Sequence, residues 1–88
     1  MEKSLFTDEY RVLICLLREV RKQGHITQTQ LAERLGTTQS LISKCERGER
    51  RLDAIELRRW VMGLGVAFPA FLERFESHIS NKGPDNTN

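Results

Sequence analysis

Leu13, Leu16, Leu17 and Val20 recur at steps of one and three residues, which lines one face of an α-helix. Thr7 or Asp8 stands ahead of them as an N-cap and Gly24 behind them as a stop, so residues 8–22 are expected to form a first helix. The stretch Val12-Leu13-Ile14-Cys15-Leu16-Leu17 is apolar on more than one face. It predicts cover on two sides, from the rest of the domain or from a partner. Thr27 and Gln30 have the spacing of a capping box, opening a second helix over 28–35 with Leu31, Ala32 and Leu35 inward. Gly36 follows at once and permits a tight turn, after which Thr37 or Thr38 caps a third helix over 39–46 with Leu41, Ile42 and Cys45 inward. Asp53 and Glu56 repeat the capping box for a fourth helix over 54–64, whose inner face is Leu57, Trp60, Val61 and Leu64 and whose stop is Gly65. Pro69 suits the first turn of a fifth helix over 69–78, with Phe71, Leu72 and Phe75. The expected fold is all-α, a compact five-helix bundle in one domain over residues 1–79, with residues 80–88 as a disordered polar tail.

Composition narrows the function more by exclusion than by assertion. The chain has 88 residues, 39% hydrophobic and 30% charged, which fits one small folded domain. No apolar run approaches the roughly 18 residues of a membrane span, and Met-Glu-Lys-Ser lacks the apolar core of a signal peptide. A cytoplasmic, nucleoid-associated protein is expected. Cys15 and Cys45 have no second Cys or His at metal spacing, so both are expected to be buried thiols, with no metal and no cofactor. His25 and His78 have no ligand or catalytic partner near them in sequence, and there is no nucleophile elbow or phosphate-binding glycine loop. An enzyme is not expected. The net charge of +2 decides nothing, but Arg47, Arg50 and Arg51 make a local basic knot.

Helices two and three, joined by about three residues, leave Gln39, Ser40, Ser43, Lys44 and Arg47 off the buried face. Gln can read adenine through two hydrogen bonds in the major groove, and Lys can reach guanine or a phosphate. Over Gln28 to Glu46 the sequence resembles the lambda repressor and Cro family, the XRE-type helix-turn-helix proteins. The resemblance is carried by Thr27-Gln28, Leu31-Ala32, Leu35-Gly36, Thr38-Gln39-Ser40, Ile42-Ser43-Lys44 and Glu46-Arg47-Gly48. It extends from about Arg21 to Leu64 and more loosely to Phe75, and it implies a lambda repressor-like bundle with the third helix in the major groove.

The resemblance also implies roles. Arg21 and Glu46 would form a structural ion pair. Gln39, Ser40, Ser43 and Lys44 would face bases, with Ser40 standing where many members carry a longer polar residue. Gln28, Thr38, Arg47, Arg50 and Arg51 would hold phosphates. The implied protein is a bacterial or phage-encoded, sequence-specific transcriptional regulator, a repressor that binds double-stranded DNA as a homodimer. An antitoxin or adaptor on the same fold is the alternative, with a protein partner on the C-terminal aromatics. Trp60, Phe68, Phe71 and Phe75 read most simply as core, and the Phe cluster with the first helix as its counterpart is the dimer candidate. With no ligand-binding domain legible, regulation by an inducer is expected to come only from a partner or from oligomeric state.

Overall fold

The computed structural model describes residues 7–82. They form α1 (Asp8–Gln23), α2 (Gln28–Leu35), α3 (Gln39–Glu46), α4 (Ala54–Gly63) and α5 (Phe68–Lys82). Every start has a local cause. The Thr7 hydroxyl accepts from the Tyr10 amide at 3.0 Å and the Thr38 hydroxyl from the Leu41 amide at 3.1 Å. Thr27 with Gln30, and Asp53 with Glu56, close complete capping boxes. Pro69 falls in the first turn of α5, where its missing N–H costs nothing. The last helix is longer than its periodicity predicts, so residues 80–82 are helical rather than tail. The remainder of the expected tail, 83–88, lies outside the described residues.

The helices pack as a closed ring: α1 on α3, α3 on α2, α2 on α4, α4 on α5 and α5 back on α1. Phe71, Leu16, Leu17, Leu31, Ile42, Val61 and Cys45 are fully buried at its centre. Each such aliphatic or aromatic side chain contributes roughly 1.5–3 kcal/mol by leaving water. The apolar breadth of α1 is explained within the chain, because Leu13, Ile14, Leu16, Leu17 and Val20 are all buried there. No partner is needed to cover them. Cys15 corrects its expectation: it is exposed, because at 100° per residue it points about 200° away from Leu13. Cys45 is buried, and burial pushes its thiol above the ordinary range.

Four helices end in one motif, in which a residue one or two positions past the helix bends into the left-handed region and two backbone amides return to the last turn. For α2 the Gly36 amide meets Glu33 O at 3.3 Å and the Thr37 amide meets Ala32 O at 2.9 Å. The left-handed residues are Gly36, Gly48 and Gly65, but after α1 it is His25, at φ 57°. Gly24 is the stop of α1 as expected, its C-cap at φ −84°, and the left-handed bend comes one residue later. A side chain in this region costs about 1–2 kcal/mol, partly offset by the lower entropy of a non-glycine chain. His25→Gly is therefore expected to stabilise the fold by about 0.5–1 kcal/mol, read as a higher urea midpoint at unchanged m-value. A lower midpoint would show that the imidazole contributes more than its backbone costs.

Candidate nucleic-acid interface

The turn between α2 and α3 places the two helices against each other with Leu31, Ala32 and Ile42 buried between them. Ala32 is small enough for the helices to approach, and Gly36 turns the chain at φ 70°. Burying Ile42, Cys45 and Glu46 fixes the rotation of α3. Gln39, Ser40 and Lys44 are consequently exposed along its outer edge, with Ser43 half-buried beside them.

The first residue of that edge is held from below. Arg21, 9% exposed in its side chain, meets Glu46, 5% exposed, through Nε to Oε2 at 2.6 Å and Nη2 to Oε1 at 3.0 Å. Its Nη1 donates to Ile26 O at 2.8 Å, so the guanidinium also closes the α1–α2 turn. Glu46 Oε1 accepts in addition from Gln28 Nε2 at 2.9 Å, and Gln28 Oε1 accepts from Gln39 Nε2 at 2.6 Å. Four side chains from α1, α2 and α3 thus form one chain of hydrogen bonds from the core to the surface. Sequence reasoning placed each of these residues but missed that Gln28 links the pair to Gln39. No spacing in the sequence signals a contact between residues 28, 39 and 46, because it exists only once α2 lies across α3.

The hydrogen-bond inventory shows what remains free. A carboxamide has two N–H donors and a carbonyl with two lone pairs. Gln39 spends one donor, leaving an N–H and its carbonyl, the pair that adenine N7 and N6 require. Gln28 keeps a single N–H at the start of α2.

The basic knot is divided among separate partners. Arg47 makes a two-pronged pair with Glu49, at 2.8 and 3.2 Å, and donates to the Ser43 hydroxyl. Arg50 turns to Glu56 at 2.7 Å and to Arg51 O at 3.3 Å; the Glu56 carboxylate holds its guanidinium protonated even more firmly than usual. Reciprocally, Arg50 and the Asp53 amide hold the Glu56 carboxyl below its ordinary range. Arg51 lies over the Tyr10 ring, 4.1 Å from its centroid. Thr38 is occupied as the cap of α3. Lys44 is the cation on the α3 edge itself, exposed and without a hydrogen bond or ion pair among the described residues.

Five short helices, with the second and third crossing at a three-residue turn and an exposed polar edge on the third, define a helix-turn-helix protein. The Helix-turn-helix family model matches residues 17–71, and the chain belongs to the XRE-type branch of that family, the DNA-binding regulators of transcription. It is 44% identical to an XRE-family like protein from Pseudomonas syringae pv. tomato over 80% of this chain and 85% of that one, with a TM-score of 0.75. The restriction-modification controller protein C.Esp1396I, solved as a tetramer with its natural 35 base-pair operator, shares the fold at 24% identity. There the match covers 85% of this chain and 99% of that one, with a TM-score of 0.78. The wild-type controller by itself gives a TM-score of 0.79 at the same identity and coverage. No curated protein matches at a significant level. Among the described residues no helix is long and apolar enough to cross a membrane.

Removing Glu46 would strand Arg21 in the core and free Gln28 at once. Glu46→Ala is expected to cost about 3–5 kcal/mol and to lower the thermal midpoint before base reading is tested. An unchanged midpoint would show that the pair is dispensable.

Proposed function

We propose that this chain is a sequence-specific repressor that binds a near-palindromic operator as a homodimer, laying α3 of each copy in the major groove. The observation that carries the reading is the Gln39 carboxamide. It is exposed, positioned by Gln28, and retains the donor and acceptor needed for adenine. Ser40, Ser43 and Lys44 continue the base-facing edge, with Lys44 about one turn farther along. The spare Gln28 N–H joins the free amides at the start of α2 as a phosphate seat. Thr38, Arg47, Arg50 and Arg51 are the other backbone contacts. Arg47 can exchange Glu49 for a phosphate at small cost, since both side chains are more than half exposed and exposed pairs contribute little.

The dimer reading has its own support. Met62 is 52% and Leu72 39% exposed, unusual for such side chains, and an open apolar groove runs through Met62, Val66, Phe68 and Pro69. α5 packs on α1 and α4, whereas α3 packs on α1 and α2, so a second copy on this groove leaves α3 bare. The apolar face of α1, the other dimer candidate, is consumed by the core. Two copies would set their recognition helices about 34 Å apart, one turn of duplex, and the controller protein that shares this fold was solved as a tetramer on its operator. In this reading the protein acts by binding and occluding a promoter, not by catalysis.

Binding selection from a random duplex library should recover a two-fold symmetric site. Gln39→Ala should then lose about 1–3 kcal/mol of discrimination at one base pair per half-site while keeping its affinity for random DNA. Arg51→Ala should weaken all sequences alike and lower the salt slope by about one unit. An asymmetric site, or discrimination untouched by Gln39→Ala, would overturn the reading. The double variant Met62→Glu, Leu72→Glu is expected to sediment as a folded monomer; a dimer in that variant would move the interface elsewhere.

A further inference from the structure

The peptide unit between Arg51 and Leu52 is gripped at both of its polar ends. Its carbonyl accepts from Arg50 Nη1 at 3.3 Å, and its N–H donates to the Tyr10 hydroxyl at 3.1 Å. The same tyrosine carries the side chain just before this N–H. Arg51 Cζ lies 4.1 Å from the centroid of the Tyr10 ring, inside the roughly 6 Å over which an aromatic face attracts a cation. Tyr10 stands in the first turn of α1, is 6% exposed and belongs to the core. One buried residue therefore holds both main chain and side chain of a loop 42 residues away in sequence.

The three arginines that follow α3 are held by unlike means. Glu49 and Glu56 hold Arg47 and Arg50 with carboxylates, so a phosphate has an anion to displace at either. Tyr10 holds the exposed Arg51 with a ring face, which sets the position of a cation without supplying a counter-charge. A long side chain that becomes ordered only on binding weakens the contact it makes. One already laid against a buried ring has lost part of that freedom beforehand. The loop leaves the end of α3, so with α3 in the major groove it passes the rim of that groove, where the phosphates run.

We propose that Tyr10 is a positioning residue for DNA binding, presetting Arg51 as a grip on the sugar–phosphate backbone while touching no DNA itself. Its part in binding rests on the reading of Arg51 as a phosphate contact; the presetting of Arg51 in the free protein does not. Because a phosphate contact carries no base information, Tyr10 governs affinity for all duplexes alike and leaves discrimination at Gln39 untouched.

NMR relaxation at the Arg51 Nε–H of the DNA-free protein should show an ordered side chain, and Tyr10→Leu should make it mobile. Well below the thermal midpoint of each variant, Tyr10→Leu should weaken the selected duplex and random DNA by the same factor, about three- to tenfold. In the Arg51→Ala background it should cause no further loss, whereas a merely structural role would weaken binding equally in both backgrounds. Tyr10→Phe keeps the ring and its packed volume but removes the acceptor. It should give a smaller loss that again vanishes with Arg51→Ala, and it carries the cycle should Tyr10→Leu not fold. An Arg51 Nε–H as mobile in the wild type as in the variants, equal losses in both backgrounds, or full affinity in the Tyr10 variants where Arg51→Ala binds weakly would each overturn the positioning role. An ordered Arg51 whose removal leaves duplex affinity unchanged would overturn the phosphate reading instead, and with it the part of Tyr10 in DNA binding.

Discussion

The buried Arg21–Glu46 pair is the constraint on which the rest of the arrangement depends. Two charges taken out of water need hydrogen bonds beyond those they make to each other, and here Arg21 also donates to Ile26 O and Glu46 also accepts from Gln28 Nε2. Such a pair adds little net stability compared with an apolar replacement, but it punishes misplacement heavily. Its members lie in the last turn of α1 and at the last residue of α3, so satisfying them sets where α3 ends relative to α1. Gln28 then passes that constraint to the surface at Gln39. The exposed Gln39 carboxamide is positioned by the core, not by solvent-exposed contacts alone.

The same economy of contacts governs the cations. In sequence Arg47, Arg50 and Arg51 form a cluster, but each is drawn to a different element: to Glu49 and Ser43, to Glu56 at the head of α4, and over Tyr10 of α1. Tyr10 also accepts from the Leu52 amide through its hydroxyl at 3.1 Å, so the α3–α4 loop is held to α1 at two adjacent residues. Lys44, left without such a partner, is the cation most available to a ligand at the α3 edge.

Local chemistry made most of the fold legible before any coordinates. Capping boxes at Thr27 and Asp53 and the turn at Gly36 act within a few residues of themselves, so their effects do not wait on the tertiary structure. Errors arose where a residue's fate depends on what lies opposite it. Cys15 sits in an apolar run yet faces outward, because the run is wider than the buried face of α1. Gly24 caps α1 as its position suggests, but the left-handed turn falls on His25, because the last turn of α1 is completed by amides reaching Lys22 and Arg21. The helical pattern at the C-terminus extends beyond its last large aromatic, so α5 outlasts the periodicity that marked it.

The sequence by itself carried a resemblance to helix-turn-helix proteins over Gln28 to Glu46, and its apolar spacing at Ala32, Ile42 and Cys45 with the turn at Gly36 set which edge of α3 meets solvent, since those demands are steric and local. Only the tertiary structure decided how that edge is supported. The Arg21–Glu46–Gln28–Gln39 relay, the dispersal of the arginines and the hold of Tyr10 on Arg51 and Leu52 all join residues that are far apart in sequence. Such contacts depend on the ring closure of five helices, where side-chain directions from three or four elements converge, and no periodicity within one segment encodes that convergence.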